Sequence, residues 1–238
     1  MHAISVSPAR AVIDRLEQAY PAAGADWPRY FSAQYERGNF ASRYHFIYPA
    51  LAYFVWIRRD STVASEIRPA LDVMYDGLIN EQCWGFWHSE LNESTGAIAE
   101  RNLTYAGSLA MFVGFYIDAF GEPPAQKVEV DGESVSYSEL SENLWRQMTE
   151  SPSCGVSCYN RESMVMCNAV LLINNIIHDR LFGTNFVASN GAWLKTVKTN
   201  LTANVDEAPL FYYATQADSS KPNQKKMCLG LDAPNLPV

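Results

Sequence analysis

Apolar residues in this chain recur at helical spacing, and strict apolar–polar alternation is scarce; that periodicity restricts the fold more than any other feature. It predicts helices over about 7–19, 29–36, 40–59, 64–82, 103–119, 137–150, 161–182 and 189–202. Start and stop signals agree with several of them. Ser7 precedes Pro8, a capping residue before proline at the first helical position. Gly121 and the Pro123-Pro124 pair close the helix through Met111 and Phe115, and Gly183 follows Leu181 and Phe182. The exception is KVEVDGESVSY, where an Asp131-Gly132 turn between short alternating arms predicts a small inserted hairpin. Helices of this length joined by short loops fit an all-α architecture, either an α/α toroid or a helical bundle. No linker splits the chain, so one domain over 1–238 is expected, with an irregular tail over about 210–238.

Composition narrows the function classes. Hydrophobic residues make up 48% and aromatics 13%, enough to pack an interior. The net charge of −8 leaves no basic stripe for phosphates, which argues against nucleic acid as a partner. No apolar run reaches the roughly 20 residues of a membrane span. The best candidate, Phe46 to Ile57, ends at Arg58, Arg59 and Asp60. The N-terminal stretch turns charged quickly and does not read as a signal peptide. Asn92, Asn102 and Asn200 head sequons that carry little weight without a secretion route. The five cysteines read as free thiols of a reduced, cytoplasmic protein, since their spacing fits neither a CxxC pair nor a zinc knuckle.

Gly-rich phosphate loops, HExxH, GxSxG and aspartate-rich magnesium clusters are all missing, and no metal site is expected. Two stretches stand out. The first is CYNRESMVMCN, Cys158 to Asn168. Nine residues of helix turn about 900°, which would put the two thiols on opposite faces. They can share a cavity only if Cys158 lies on the loop before the helix and Cys167 on its first turns. The polar run from Tyr159 to Glu162 permits such a start; the plainer reading is that both are small buried hydrophobes. The second stretch is WGFWHSELN with RNLTYAGSLAMFVGFY, where Trp84, Phe86 and Trp87 line a pocket or pack a core. Three histidines are candidates as well. His45 adjoins Tyr44 and His88 adjoins the tryptophans, each a candidate acid/base or an ordinary helix histidine. His178, late in its helix, would favour the negative end of the helix dipole.

In order along the chain, Arg43-Tyr44-His45-Phe46-Ile47-Tyr48, Trp84-Gly85-Phe86-Trp87, Asn102 through Leu109, Cys158 through Asn168 and Leu181 through Phe186 form a series. Together they resemble the linalool dehydratase/isomerase family: an RYxxxY helix, WxxW, a helix with N-L-x-Y-x-G-x-L, C-x8-C-N and L-x-G-T-N-F. The resemblance implies an (α/α)6 barrel, oligomers with sites at subunit contacts, and cofactor-free isomerisation and dehydration of allylic monoterpene alcohols. On that reading Cys158 and Cys167 flank a small apolar substrate. One thiol protonates the leaving hydroxyl while the other takes a proton or adds to the carbon skeleton. Tyr44, or alternatively Tyr48, matches the family's tyrosine that helps bind the hydroxyl. Ser108, Tyr105, Thr104, Trp84, Met164 and Met166 are the expected substrate-binding residues, the methionines as apolar lining.

The departures are specific. Ser108 stands where the family carries His, Tyr159-Asn160 where it reads Glu-Pro, and Gly38, Asn39 and Ser42 where it places an Asp. A hydroxyl in place of imidazole removes the best acid/base of such a pocket. The stretch after Cys167 leaves room for two more helices, so an incomplete ring is expected. Two other functions fit part of this pattern. One is a catalytically inactive relative binding an apolar ligand or partner. The other is a carbohydrate-active toroid using Trp84, Trp87 and Tyr105, for which Glu90, Glu93 and Glu100 would have to supply paired carboxylates.

Overall fold

The structure is a computed structural model describing residues 46–89, 94–158, 162–205, 208–212, 214–216 and 227–228. The helices expected over 7–19 and 29–36, and the start of that over 40–59, lie outside the described residues. The fold is mostly helical with a small antiparallel hairpin. The described residues fall into two compact units, 46–89 with 115–125 and 94–114 with 126 onwards.

In the first unit, helix α1 (Tyr48–Arg59) carries Pro49 in its first turn and buries Ala50, Tyr53, Phe54 and Ile57, one face at i, i+3, i+4 and i+7. Arg58 and Arg59 complement the negative end of its dipole. Asp60 ends the helix in extended conformation and accepts from the Thr62 amide at 3.0 Å, capping a 3-10 turn at Ser61–Val63. Helix α2 (Ala64–Ile79) buries Ile67, Leu71, Met74, Tyr75 and Leu78, again a helical stripe. Two single turns follow, α3 (Glu81–Trp84) and α4 (Phe86–Ser89). Helix α5 (Leu103–Phe120) gives residues 115–120 to this unit and 103–114 to the second. Among the described residues it is the helix long and apolar enough to cross a membrane, a property expected of no segment, and it is mostly buried within the protein. Its Tyr116 hydroxyl donates to the Asp72 carboxylate and accepts from Arg68 Nε at 3.1 Å. Burial and the Asp72 carboxylate push that phenol up to about 12, so it is held neutral.

In the second unit, β1 (Val128–Val130) and β2 (Glu133–Val135) form the expected hairpin, with Asp131 and Gly132 both at positive φ in the turn. Asp131 also accepts from the Ala97 amide at 2.8 Å. Helix α6 (Tyr137–Glu150) opens with a capping box in which Ser136 and Glu139 satisfy each other's amides. Strand β3 (Glu162–Met164) leads into helix α7 (Val165–Phe182), and α8 (Asn190–Asn200) follows a 3-10 turn at Phe186–Ser189. The helix expected from 161 therefore begins four residues later, because Glu162, Ser163 and Met164 pair antiparallel with β6 (Ala214–Gln216). Past residue 200 the structure departs from the irregular tail expected over about 210–238. Strands β4 (Thr202–Val205), β5 (Ala208–Tyr212) and β7 (Met227–Cys228) form an antiparallel sheet in the order β4-β5-β7. Phe211 and Tyr212 are residue types that favour strands.

The end of α7 shows what the Leu181-to-Phe186 stretch does. Gly183 takes the left-handed conformation (φ 67°) that closes a helix. Asp179 then accepts from the Thr184 hydroxyl at 2.6 Å and from the Phe186 and Val187 amides at 2.7 and 2.9 Å, capping the next turn. Burial pulls its carboxyl upward, but these bonds outweigh it and hold the pKa below the usual carboxylate value. Since Thr184 gives its only proton to Asp179, His178 Nδ1–H must donate to Thr184 Oγ1 at 2.8 Å, and Nε2 accepts from Ser138 at 3.1 Å. The ring stacks on Phe186 with centroids 4.4 Å apart and is 1% exposed. This corrects the dipole role expected for His178. Burial lowers its pKa, against the pull of Asp179 and Glu142, so it is a neutral linker and not a cation.

A pH dependence follows. A histidine whose folded pKa is depressed contributes stability that is fully present above the unfolded value of about 6.5 and is lost as pH falls from there through the lower folded pKa. Denaturant midpoints are expected to drop between pH 7 and 5, and the drop to shrink in His178→Gln. Equal slopes in the two proteins would place the acid sensitivity elsewhere.

Candidate functional site

The site is built where three segments of the second unit meet. Cys158 lies on the loop before β3, its amide donating to the Glu162 carbonyl at 2.7 Å. Cys167 is the third residue of α7. The helix start at Val165 thus meets the condition that the spacing of the thiols imposed. Asn168 fixes the junction: its Oδ1 accepts from the Val156 amide at 2.7 Å, and its Nδ2 donates to the Val156 and Met164 carbonyls at 3.0 and 2.9 Å. Gly155 lies flat on Trp193, whose ring carbons would sit 2.5 Å from any Cβ, so only glycine permits that approach. Ser153 and Ser163 hydrogen-bond to each other at 3.3 Å behind it.

The third segment is the start of α5. The Leu103 amide donates to the Ser157 carbonyl at 3.3 Å, and the Thr104 hydroxyl sits 3.3 Å from Cys167 Sγ. Cys158 interacts with Cys167, Thr104 and the Met164 amide. Cys167 in turn donates to Met164 Sδ at 4.0 Å. Cys158 is 0% and Cys167 1% exposed. Burial first, then the neighbouring Cys167 sulfur, raises the Cys158 thiol far above its ordinary value, more than the Met164 amide and Thr104 bring it down. The arrangement is a buried pair of neutral thiols with one hydroxyl and one thioether around it. At the same end of α5, Asn102 donates to the Ala97 carbonyl at 3.0 Å, while its Oδ1 is buried without a hydrogen bond.

Of the residues expected at the site, the structure brings together Cys158, Cys167, Thr104 and Met164. Met166 is half-buried in the same first turn of α7, and Tyr105 is buried one residue beyond Thr104. Ser108 is buried and donates to the Thr104 carbonyl at 2.7 Å, so its proton is committed within its own helix. Tyr48 and Trp84 belong to the first unit. Tyr48 is 46% exposed at the start of α1, and the Trp84 indole donates to the Ile79 carbonyl at 3.1 Å with its ring edge-on to His88. Tyr44 lies outside the described residues, as do His45, Glu90, Glu93, Tyr159 and Asn160. Trp87 and Tyr105 are fully buried and present no face for a sugar to stack on. A separate cavity of about 280 Å³ in the first unit is lined by Leu51, Phe54, Val55, Ile57, Phe115 and Ala119, with Arg58 and Asp118 paired at 3.6 Å. None of the expected site residues lines it.

Sequence reasoning missed the clamp formed by Asn168. The signal was present, since a buried polar residue one turn after Met164 must find backbone partners. Among the described residues no group of three or more His, Cys, Asp or Glu side chains is placed to hold a metal. No protein-family model matches the chain.

Proposed function

We propose that this chain is a cofactor-free dehydratase or isomerase of the linalool dehydratase/isomerase type, an incomplete α/α toroid acting on a small apolar allylic alcohol. The observation that carries this reading is the convergence of Cys158, Cys167 and Thr104 in one buried cluster. Burial keeps the thiol in the protonated form that a proton donor needs and not as an attacking thiolate. The same rise in pKa makes it a weaker acid, so the Met164 amide and Thr104 must stabilise the thiolate as the proton leaves. Cys158 would protonate the substrate hydroxyl, which leaves as water and generates an allylic cation. The Cys158 thiolate, held by the Met164 amide and the Thr104 hydroxyl, would then take a proton from the carbon adjacent to the cation. The sum is alcohol to diene plus water, with the thiol restored. Isomerisation is the same first step followed by return of water to the other allylic carbon. A homo-oligomer supplying further site residues is part of this proposal.

The test is turnover of tertiary and primary allylic monoterpene alcohols by the wild type, Cys158→Ser and Cys167→Ser. A loss of at least about a hundredfold is expected in Cys158→Ser, the scale of one acid–base group, and a smaller loss in Cys167→Ser, which only lines the cluster. Full turnover in Cys158→Ser would end the proposal. The complete burial of both thiols and the commitment of Ser108 to its own helix favour a second reading, an inactive relative that binds an apolar ligand. Retention of ligand binding in both variants, with no product from the wild type, would decide for it.

A further inference from the structure

We propose that Cys158, Cys167 and Met164 form a binding site for a soft monovalent metal ion, copper(I). The inference rests on the grouping of the three sulfurs and does not depend on the proposed catalysis. Cys167 Sγ and Met164 Sδ are 4.0 Å apart, and Cys158 interacts with Cys167 and with the Met164 amide. A metal about 2.3 Å from each of two sulfurs, in trigonal geometry, holds those sulfurs about 4 Å apart. The Cys167–Met164 spacing is therefore already the one that coordination needs.

The ligand set selects the ion. Two thiols and a thioether are soft donors, and thioethers in particular suit copper(I). Zinc would ask for four ligands drawn from thiolate, imidazole and carboxylate, and no such group is assembled among the described residues. All three residues are buried to 1% exposure or less. Both cysteines bind the metal as thiolates: two S–H bonds break, two Cu–S bonds form and two protons leave, and the thioether completes the coordination without charge, which leaves one negative charge on the site. The Thr104 hydroxyl, 3.3 Å from Cys167 Sγ, can donate to that thiolate. The frame is preset, because Met164 and Cys167 lie three residues apart across the start of α7 and Asn168 ties the Cys158 loop to that start.

The experiment is an anaerobic titration of the reduced full chain with copper(I) against a chromogenic copper(I) chelator, with X-ray absorption on the loaded protein. One ion per chain, about two protons released per ion, and a shell of three sulfurs are expected. Met164→Leu, which keeps the side-chain volume, should weaken binding about tenfold or more and leave two sulfurs in the shell. Cys158→Ser and Cys167→Ser should each abolish competition with the chelator, while the combined Cys83→Ser, Cys154→Ser, Cys228→Ser protein should bind as the wild type does. Failure of the wild type to compete, retention in the Cys158→Ser, Cys167→Ser double variant, loss in the triple variant, or an unchanged Met164→Leu would each overturn the site. None of these readouts is turnover, so they separate this proposal from the catalytic one.

Discussion

In the folded protein, Cys154 is expected to react with an alkylating reagent at pH 8 while Cys83, Cys158 and Cys167 stay protected until the chain opens. Alkylation requires both a thiolate and access to it. Cys154 is partly exposed on the loop after α6. Cys83 and Cys158 are 0% exposed, and burial raises both thiols well above their ordinary value, so raising the pH to 9 should scarcely speed their reaction. Reaction then proceeds only through local opening. If opening costs roughly 3 kcal/mol, labelling slows about a hundredfold relative to the unfolded chain. Peptide mapping after timed labelling of a Cys228→Ser protein checks this. Rapid modification of Cys158 in the native state would mean that the loop carrying it is open to solvent, and the neutral-thiol chemistry proposed above would lose its basis.

The helices of this fold were legible because their information is local. Ala64–Ile79, Leu103–Phe120 and Tyr137–Glu150 agree within a few residues with the apolar periodicity, and Asp131-Gly132 marked the hairpin. What escaped depends on distant partners. Strand β3 exists because it pairs with Ala214–Gln216, some fifty residues on, and nothing within Glu162–Met164 announces that pairing. Thr104 is named at the site by the family resemblance and by no local pattern, since its contact with Cys167 spans 63 positions. The cysteine spacing nevertheless stated a geometric condition, loop for one thiol and first turn for the other, which the observed helix start at Val165 satisfies. His178 illustrates the opposite limit. Its position late in a helix pointed to the dipole, but its state is set by stacking on Phe186 and by the proton that Thr184 has already given away. For Ser108 the residue type was informative and its job was not, because a buried hydroxyl with no other partner turns to the carbonyl four residues back.

Asn168→Ala is expected to destabilise the protein by about 3–5 kcal/mol, the largest loss of any single substitution near the thiols. The side chain makes three hydrogen bonds, all to backbone groups, and is itself 0% exposed. Truncation strands the Val156 amide and carbonyl in a place water does not reach, and each costs its own desolvation on top of the lost bond. Against a total stability of roughly 5–15 kcal/mol such a loss is large. It should lower the thermal midpoint by about 10 °C for a chain of this size. Asn168→Asp is the informative companion. It can still accept from Val156, but it loses both donations and buries a charge beside two sulfurs, so it should be no better than Ala. Denaturant unfolding measures both variants, and an unchanged m value would confirm that stability and not compactness has moved. The local consequence is sharper than the global one. With the clamp gone, the Cys158 loop should open before the rest of the unit, and Cys158 labelling should accelerate by more than the loss of global stability explains. A variant within about 1 kcal/mol of wild type, with Cys158 as protected as before, would show that the loop is held by the Cys158–Glu162 bridge and the Trp193 contact alone.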